Sequence, residues 1–319
     1  MENNSLISVI IPAYNSGKFI RKTIDSVLNQ SFDNFEVLVI NDGSTDKTEE
    51  IVKEYIVRNP KVRLINQNNS GVSVARNMGI KESKGDYICF LDSDDFYDVL
   101  FLEKMFNEIK LEDSEVCYCG YNKITPMKKV HVFTNFQKEN VLKNYILGKV
   151  RVHTTGWMIK KELISKNNIL FSEELAWGED FEFFCKVLGQ SNKICYVKDY
   201  LTNYTVNIND DRLSTFSIKK IDNDFETIKK ISEYREIDKN IAAKRVLINY
   251  RLPALVSYRL LNAYKYKVEE NIILDYFNKY ENYIVKFSFN NGIRSLKLNI
   301  SIIYLLLKII KIKKDITRV

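Results

Sequence analysis

The chain has 319 residues, 45% of them hydrophobic and 28% charged, and its 4 Pro and 11 Gly exclude a collagen-like or Pro/Gly-rich disordered chain. That length suits two domains, or one large domain with an appendage. The net charge of +7 arises in the segment Lys286 to Val319, which holds 8 basic residues and one acid, Asp315. The remainder is neutral, which excludes a uniformly basic nucleic-acid binder and leaves only the C-terminal tail asking for an anionic partner.

Five cysteines (Cys89, Cys117, Cys119, Cys185, Cys195) form no C-x-x-C pair and no Cys/His cluster. Set among apolar neighbours, they read as reduced core residues of a cytoplasmic protein rather than a disulfide framework or zinc site. Met1 to Leu6 lacks the basic and apolar regions of a signal peptide. The longest uncharged apolar run, Leu298 to Leu307, is too short to span a bilayer.

The first hundred residues alternate strand and helix. Ile7 to Ile11 is a β-branched run stopped by Pro12, and a helix pattern follows from Lys18 to Asn29. Phe35 to Ile40 predicts a second strand and Ile51, Val52 and Tyr55 mark the next helix. Val62 to Ile65, a helix from about Val72 to Lys81, and strand Tyr87 to Leu91 complete the series. Apolar strands alternating with amphipathic helices imply βαβ crossovers and a parallel sheet. In such sheets ligands sit outside the C-terminal strand ends. The loops there are Pro12-Ala13-Tyr14-Asn15, Asn41 to Asp46, Gln67 to Gly71 and Asp92-Ser93-Asp94-Asp95, all polar and two of them rich in carboxylates.

Residues 100 to 210 read as mixed α and β. A helix Val99 to Lys110, strands near Val116 to Tyr121 and Gly156 to Ile159, and a helix opened by Gly178-Glu179-Asp180 are expected. Ile194 to Val197 and Tyr200 to Tyr204 read as two short strands. The expected division is a catalytic domain over 1–210 and a helical accessory region over 211–319. In the last helical segment Lys297, Ser301, Tyr304, Lys308 and Lys311 share an arc of roughly 80°. A narrow basic stripe on a broad apolar face suits a helix lying in a membrane surface. A helix packed on the protein body or on a second copy in a homo-oligomer has the same periodicity.

The chemistry concentrates at the strand ends. Asp92 and Asp94, one residue apart, repel each other unless a divalent cation lies between them. Hard oxygen ligands favour Mg²⁺ or Mn²⁺, held by one or two carboxylates and a substrate phosphate. Asp95 is placed for capping the next helix. Asp42 can accept from an imide N–H such as that of uracil, Tyr14 can stack on a base, and Gly71 lets backbone approach a ligand closely. Arg76, one helical turn past Gly71, offers phosphate a fork of donors.

Five segments, in this order and spacing, resemble the family 2 inverting glycosyltransferases with the GT-A fold, of the bacterial capsule and cell-surface polysaccharide type. They are Val9 to Asn15, Val39 to Asp46, Asn69 to Asn77, Gly85 to Asp95, and Trp177-Gly178-Glu179-Asp180. The resemblance implies a nucleotide-sugar-binding α/β domain with a UDP-sugar donor. Pro12, Tyr14, Asn15, Asp42, Asn69, Gly71 and Arg76 would surround the nucleotide. Asp92 and Ser93 would lie near the ribose, and Asp94 with Asp92 would hold Mn²⁺ or Mg²⁺. Asp180 matches the family's catalytic base, with Glu179, Trp177 and His153 on the acceptor side. Arg212 stands where relatives carry a basic or His-containing motif.

The function expected is transfer of a sugar from a UDP-sugar to a saccharide, lipid-linked acceptor by a peripheral enzyme on the inner face of the cell membrane. The alternatives are a soluble oligomeric transferase acting on teichoic acid or protein, and a non-catalytic nucleotide-sugar-binding assembly subunit.

Overall fold

A computed structural model describes residues 5–175, 178–206 and 217–316 of the chain. They fall into two units, Met1–Glu174 with Glu179–Asp210, and Leu175–Gly178 with Asp211–Val319.

The first unit begins with β1 (Ile7–Ala13), α1 (Ile20–Leu28), β2 (Phe35–Asp42), α2 (Thr48–Arg58), β3 (Val62–Gln67), α3 (Val72–Glu82) and β4 (Tyr87–Phe90). Every position of β1, β2 and β4 is buried, as expected for parallel strands covered on both faces. Helix α1 buries Ile20, Thr23, Ile24 and Val27, the i, i+3, i+4, i+7 stripe of a helix lying on a sheet. There follow β5 (Phe96–Tyr97), α4 (Phe101–Leu111), β6 (Val116–Ile124), β7 (Lys129–His131), α5 (Val141–Ile146), β8 (Trp157–Lys160), α6 (Lys161–Lys166), α7 (Glu179–Gln190) and β9 (Ile194–Thr205). Among the described residues, nine strands form one sheet in the order β3-β2-β1-β4-β8-β6-β9-β5, with β7 paired to β6. The first four run parallel, and β8 is antiparallel to β4. From β1 the chain winds outward to β2 and β3, then returns to place β4 on the other side of β1. The strand order therefore reverses between β1 and β4, where open α/β sheets form a ligand crevice.

Two strand expectations change. Pro12 does not stop β1, which pairs with β2 through Pro12–Ile40 and Ala13–Asn41. The carbonyl of Ile10 accepts from Leu91 N–H, so Ile10 and Pro12, two residues apart, turn their main-chain groups toward the β4 side. Strand β4 has ended by then, its Phe90 pairing with Ile10, so the donor that proline lacks has no ladder to join. The two short strands near 194–204 are one strand, β9. Its register against β6 shifts around Gly120, whose partner is Tyr200 although Cys119 pairs with Val197. That bulge covers Lys198 and Asp199, the polar pair that interrupts the apolar pattern.

The second unit is helical: α8 (Lys220–Glu233), α9 (Arg235–Lys239), α10 (Ile241–Val246), a π turn at Leu247–Arg251, α11 (Leu252–Lys265), α12 (Glu270–Ile284) and α13 (Ile293–Ile316). Helix α11 packs on α8, α12 and α13 around buried Ile228, Leu260, Phe277 and Ile302. Pro253 sits in the first turn of α11, after the π turn, where its missing N–H is tolerated. The apolar face of α13 is divided. Leu298, Ile302, Leu305, Ile309 and Ile312 are buried, whereas Leu296, Ile300, Ile303, Leu307 and Ile310 remain about half exposed.

Candidate functional site at the strand-order reversal

The loops after β1, β2 and β3 are tied together by side chains. Asn15 adopts a left-handed backbone (φ 48°), which Asn tolerates better than most residues. Its N–H donates to Ser44 Oγ at 3.0 Å and its Oδ1 accepts from Thr45 N–H at 2.8 Å. Tyr14 beside it is 51% exposed, free of the core and available as a stacking surface. The Asp42 carboxylate is buried and already engaged. It accepts from Gln67 Nε2 (2.8 Å), Ser70 N–H (2.8 Å) and Gly71 N–H (2.9 Å). Asp42 thus fixes the Asn69–Gly71 loop, and an imide N–H would meet only its remaining lone pairs. Gly43 enables this closure: at φ +70°, an added Cβ would lie 2.7 Å from Asn69 N. Asn69 and Gly71 are exposed on the same loop.

The turn after β4 is bound to the β1 loop and α1. Ser93 Oγ lies 2.6 Å from Ser16 Oγ, and Thr23 Oγ1 donates to the carbonyls of Ser93 (2.9 Å) and Asp95 (2.8 Å). Asp95 is only 1% exposed, and its Oδ1 accepts from Thr205 N–H at 2.8 Å. It braces the turn against β9 rather than capping a helix on the surface. Its other oxygen lies 3.6 Å from His153 Nδ1. The ligand atoms of Asp92, Asp95 and His153 all come within 4.8 Å of one another. Two carboxylates and an imidazole nitrogen form a donor set compatible with a divalent cation such as Mn²⁺. Asp94, half-buried, is outside that trio.

Arg76, 5% exposed, is the main cation here. Its guanidinium donates to Asp92 Oδ1 (2.9 Å) and Glu179 Oε1 (3.2 Å). It is therefore not a surface ion pair but a buried link between the β4 turn and α7. Burial alone would weaken its proton affinity, yet Asp92, Glu179 and Asp180 outweigh that and raise its pKa. Burial would likewise push Asp92 up, but Arg76 and His153 hold its carboxyl below the ordinary range. Glu179 is raised by burial and by Asp180, with Arg76 opposing.

Glu179 and Asp180 open α7 in its first turn, where a carboxylate is favoured by the helix dipole. Asp180 Oδ1 accepts from Phe181 N–H at 2.6 Å, and Oδ2 accepts from Thr154 Oγ1 at 3.3 Å. Trp177 and Arg212 lie outside the described residues. His153, expected on the acceptor side, packs beside the β4 turn, with its ring 4.7 Å from Tyr204 and 5.5 Å from Tyr121. Sequence reasoning missed Thr154, which carries no motif, and the inward role of Asp95, whose only signal was the acidic run after a buried strand.

Burial lowers the His153 pKa, with Arg76 adding to that effect and Asp92 and Asp180 opposing it. The unfolded imidazole takes its proton near ~6.5. The contribution of neutral His153 to stability is thus complete above that pH and lost as pH falls from it toward the depressed folded value. His153→Gln is expected to flatten the fall in melting temperature between neutral pH and pH ~5. An unchanged slope would mean that the imidazole does not titrate differently on folding.

Residues 8–166 match the model of the family described as glycosyl transferase family 2. The chain is 29% identical over 213 residues to the glycosyltransferase EpsJ of Bacillus subtilis, spanning 64% of this chain and 62% of EpsJ. It is 27% identical over 263 residues to the chondroitin synthase of Pasteurella multocida, spanning 72% of this chain and 26% of the synthase. Both matches cover less than two thirds of the relative's length. Crystal structures of a fragment of S. aureus TarS bound to UDP or to UDP-GlcNAc share the fold. The UDP complex superposes with a TM-score of 0.71 at 24% identity, covering 96% of this chain and 88% of that one.

Proposed function

As the chain belongs, through residues 8–166, to glycosyl transferase family 2, we propose that it transfers a sugar from a UDP-sugar to a saccharide acceptor during synthesis of a bacterial surface polysaccharide. The observation that carries this reading is the convergence of Asp92, Arg76, Glu179 and Asp180 at the point where the strand order reverses. The UDP and UDP-GlcNAc complexes of TarS and the synthase relative support the donor class and the pathway.

In this reading Tyr14, Asn15 and Pro12 at the end of β1, with the loop braced by Asp42, receive the nucleoside. Asn69 and Gly71 present their exposed backbone beside it. Ser93 is locked by Ser16, which fixes the turn that faces the ribose. The carboxylates Asp92, Asp94, Asp95, Glu179 and Asp180 outnumber Arg76, and a diphosphate adds further negative charge. Such a site needs a cation. Asp92 and Asp94 would hold Mn²⁺ or Mg²⁺, with Asp95 and His153 as neighbouring donors, and the ion would stabilise the leaving diphosphate as a Lewis acid. The acceptor hydroxyl attacks the anomeric carbon from the face opposite the diphosphate. As the new C–O bond forms, the bond to the diphosphate oxygen breaks, UDP leaves with the electron pair, and Asp180 takes the hydroxyl proton. One displacement inverts the anomeric centre. Thr154 holds one oxygen of Asp180, leaving the carboxylate oriented for that proton, and Glu179 flanks the acceptor. The acceptor is lipid-linked in this reading, and the enzyme works peripherally on the inner face of the membrane. None of the described helices is long and apolar enough to cross a membrane.

The test is nucleotide release from UDP-glucose, UDP-galactose, UDP-GlcNAc, UDP-GalNAc, a GDP-sugar and a dTDP-sugar, with Mn²⁺ or Mg²⁺ and after chelation. One UDP-sugar is expected to be turned over, with activity lost on chelation and in Asp94→Ala. If none is turned over, UDP binding decides: equal binding by wild type and Asp94→Ala, with and without metal, overturns the site.

A further inference from the structure

We propose that α13 seats the second unit on an anionic lipid surface through its outer apolar stripe, lying parallel to that surface while its inner stripe holds it to the helical bundle. This rests on the reading of the enzyme as peripheral to the membrane and assigns the surface responsible.

Amphipathic surface helices have one apolar stripe, and α13 has two. The inner one, from Leu298 to Ile312, is no more than 5% exposed, packed on α11 and α12. That stripe accounts for the stability of the helix and needs no other partner. The outer one, Leu296, Ile300, Ile303, Leu307 and Ile310, is 48% to 60% exposed. At 100° per residue these five positions span roughly 80° of the helix, centred well away from the inner stripe. The helix has 24 residues, so it is about 36 Å long. The stripe repeats over most of that length. Isolated exposed apolar residues are unremarkable, but a continuous line of them marks an interaction surface.

Charge identifies the occupant. Lys297 and Lys311 are exposed, and Lys308 lies between them on the same flank of the stripe. Helix α13 holds six basic residues and one acid, Asp315. A second copy docked stripe to stripe would bring these lysines toward lysines, with that single acid against six basic residues on each helix. An anionic lipid surface receives both features at once: acyl chains take the Leu and Ile side chains, and headgroups take the ammonium groups. Lys308 Nζ sits 5.2 Å over the Tyr304 ring and 4.5 Å over that of Tyr264. Its stem thus lies along apolar surface with the charge at the edge, and Tyr304 itself is half exposed, as suits a headgroup-level aromatic.

The experiment is flotation of the full chain with vesicles of phosphatidylcholine alone and of phosphatidylcholine with phosphatidylglycerol, with UDP binding measured on the same preparations. Wild type is expected to float with the anionic vesicles only. Ile300→Ser/Ile303→Ser/Leu307→Ser replaces exposed side chains and should abolish flotation. Lys297→Glu/Lys311→Glu should weaken it by roughly 25-fold or more, at about fivefold per basic residue near the surface. Val57→Ser/Leu111→Ser, exposed apolar residues of the first unit, should float as wild type does. Failure of wild type to float overturns the proposal. So does a serine variant that floats undiminished, or one whose main change is dissociation of an oligomer seen by light scattering. Retained UDP binding in a protein that does not float would count against the membrane surface alone, and flotation without UDP binding against the donor site alone.

Discussion

Asp180→Asn is expected to lower turnover about 10²–10⁴-fold, the usual contribution of a positioned general base. The substitution is nearly isosteric. An amide oxygen can still accept from Thr154 Oγ1, which lies 3.3 Å from the carboxylate, and the first turn of α7 keeps a polar side chain beside its N–H groups. What disappears is the ability to take a proton. UDP binding should therefore stay close to wild type while transfer to acceptor collapses, and transient kinetics should show the loss in the chemical step. The helix-cap reading of Asp180 predicts otherwise: a lower melting temperature with turnover largely intact. Turnover comparable to wild type would remove Asp180 as the base.

Arg76→Met should cost about 3–5 kcal/mol of stability, since removing one partner strands the other charges in a buried place. Here two carboxylates, Asp92 and Glu179, lose their shared cation, at 2.9 and 3.2 Å. Arg76→Lys should recover only part of that, because an ammonium cannot present a planar fork to two acceptors. Without the guanidinium, burial acts on both carboxyls with its main opponent gone, so both should titrate above their unfolded pKa. The penalty then grows as pH rises through the folded values and shrinks as pH falls, so the gap from wild type should narrow between pH ~7 and ~5. Melting curves of wild type and both variants across that range would show it. A pH-independent gap, or a lysine variant as stable as wild type, would mean that Arg76 is held by packing rather than by its ion pairs.

Much of this arrangement is legible in the chain itself. The strands β1 to β4 announce themselves because parallel strands buried on both faces must be continuous apolar runs. The loops that follow them must then share an edge, which puts Asp92, Asp42 and Arg76 at one candidate site on sequence grounds alone. Less accessible were the properties that depend on distant packing. Nothing local tells that Asp42 spends its oxygens on Gly71 and Ser70, or that Asp95 turns inward to Thr205. Pairings of this kind span large sequence separations, which periodicity does not register. Helix α13 shows the same limit from the other side. Its hydrophobic pattern was plain, but dividing the apolar face into an inner and an outer stripe required the positions of α11 and α12.

The unequal lengths of β1 and β4 have a consequence of their own. Strand β1 runs to Ala13, while its partner β4 pairs only as far as Ile10. Past Ile10, the β4 side of β1 therefore has no strand partner among the described residues, over a length of about 10 Å at ~3.3 Å per residue. The chain turns aside at Asp92 instead of continuing the pairing. The strand-order reversal is thus left unzipped at its C-terminal end: three residues that a longer β4 would have supplied are withheld. Proline on the facing strand ensures that no main-chain donor invites one in. A β4 lengthened in that register would zip the sheet shut at the strand-order reversal.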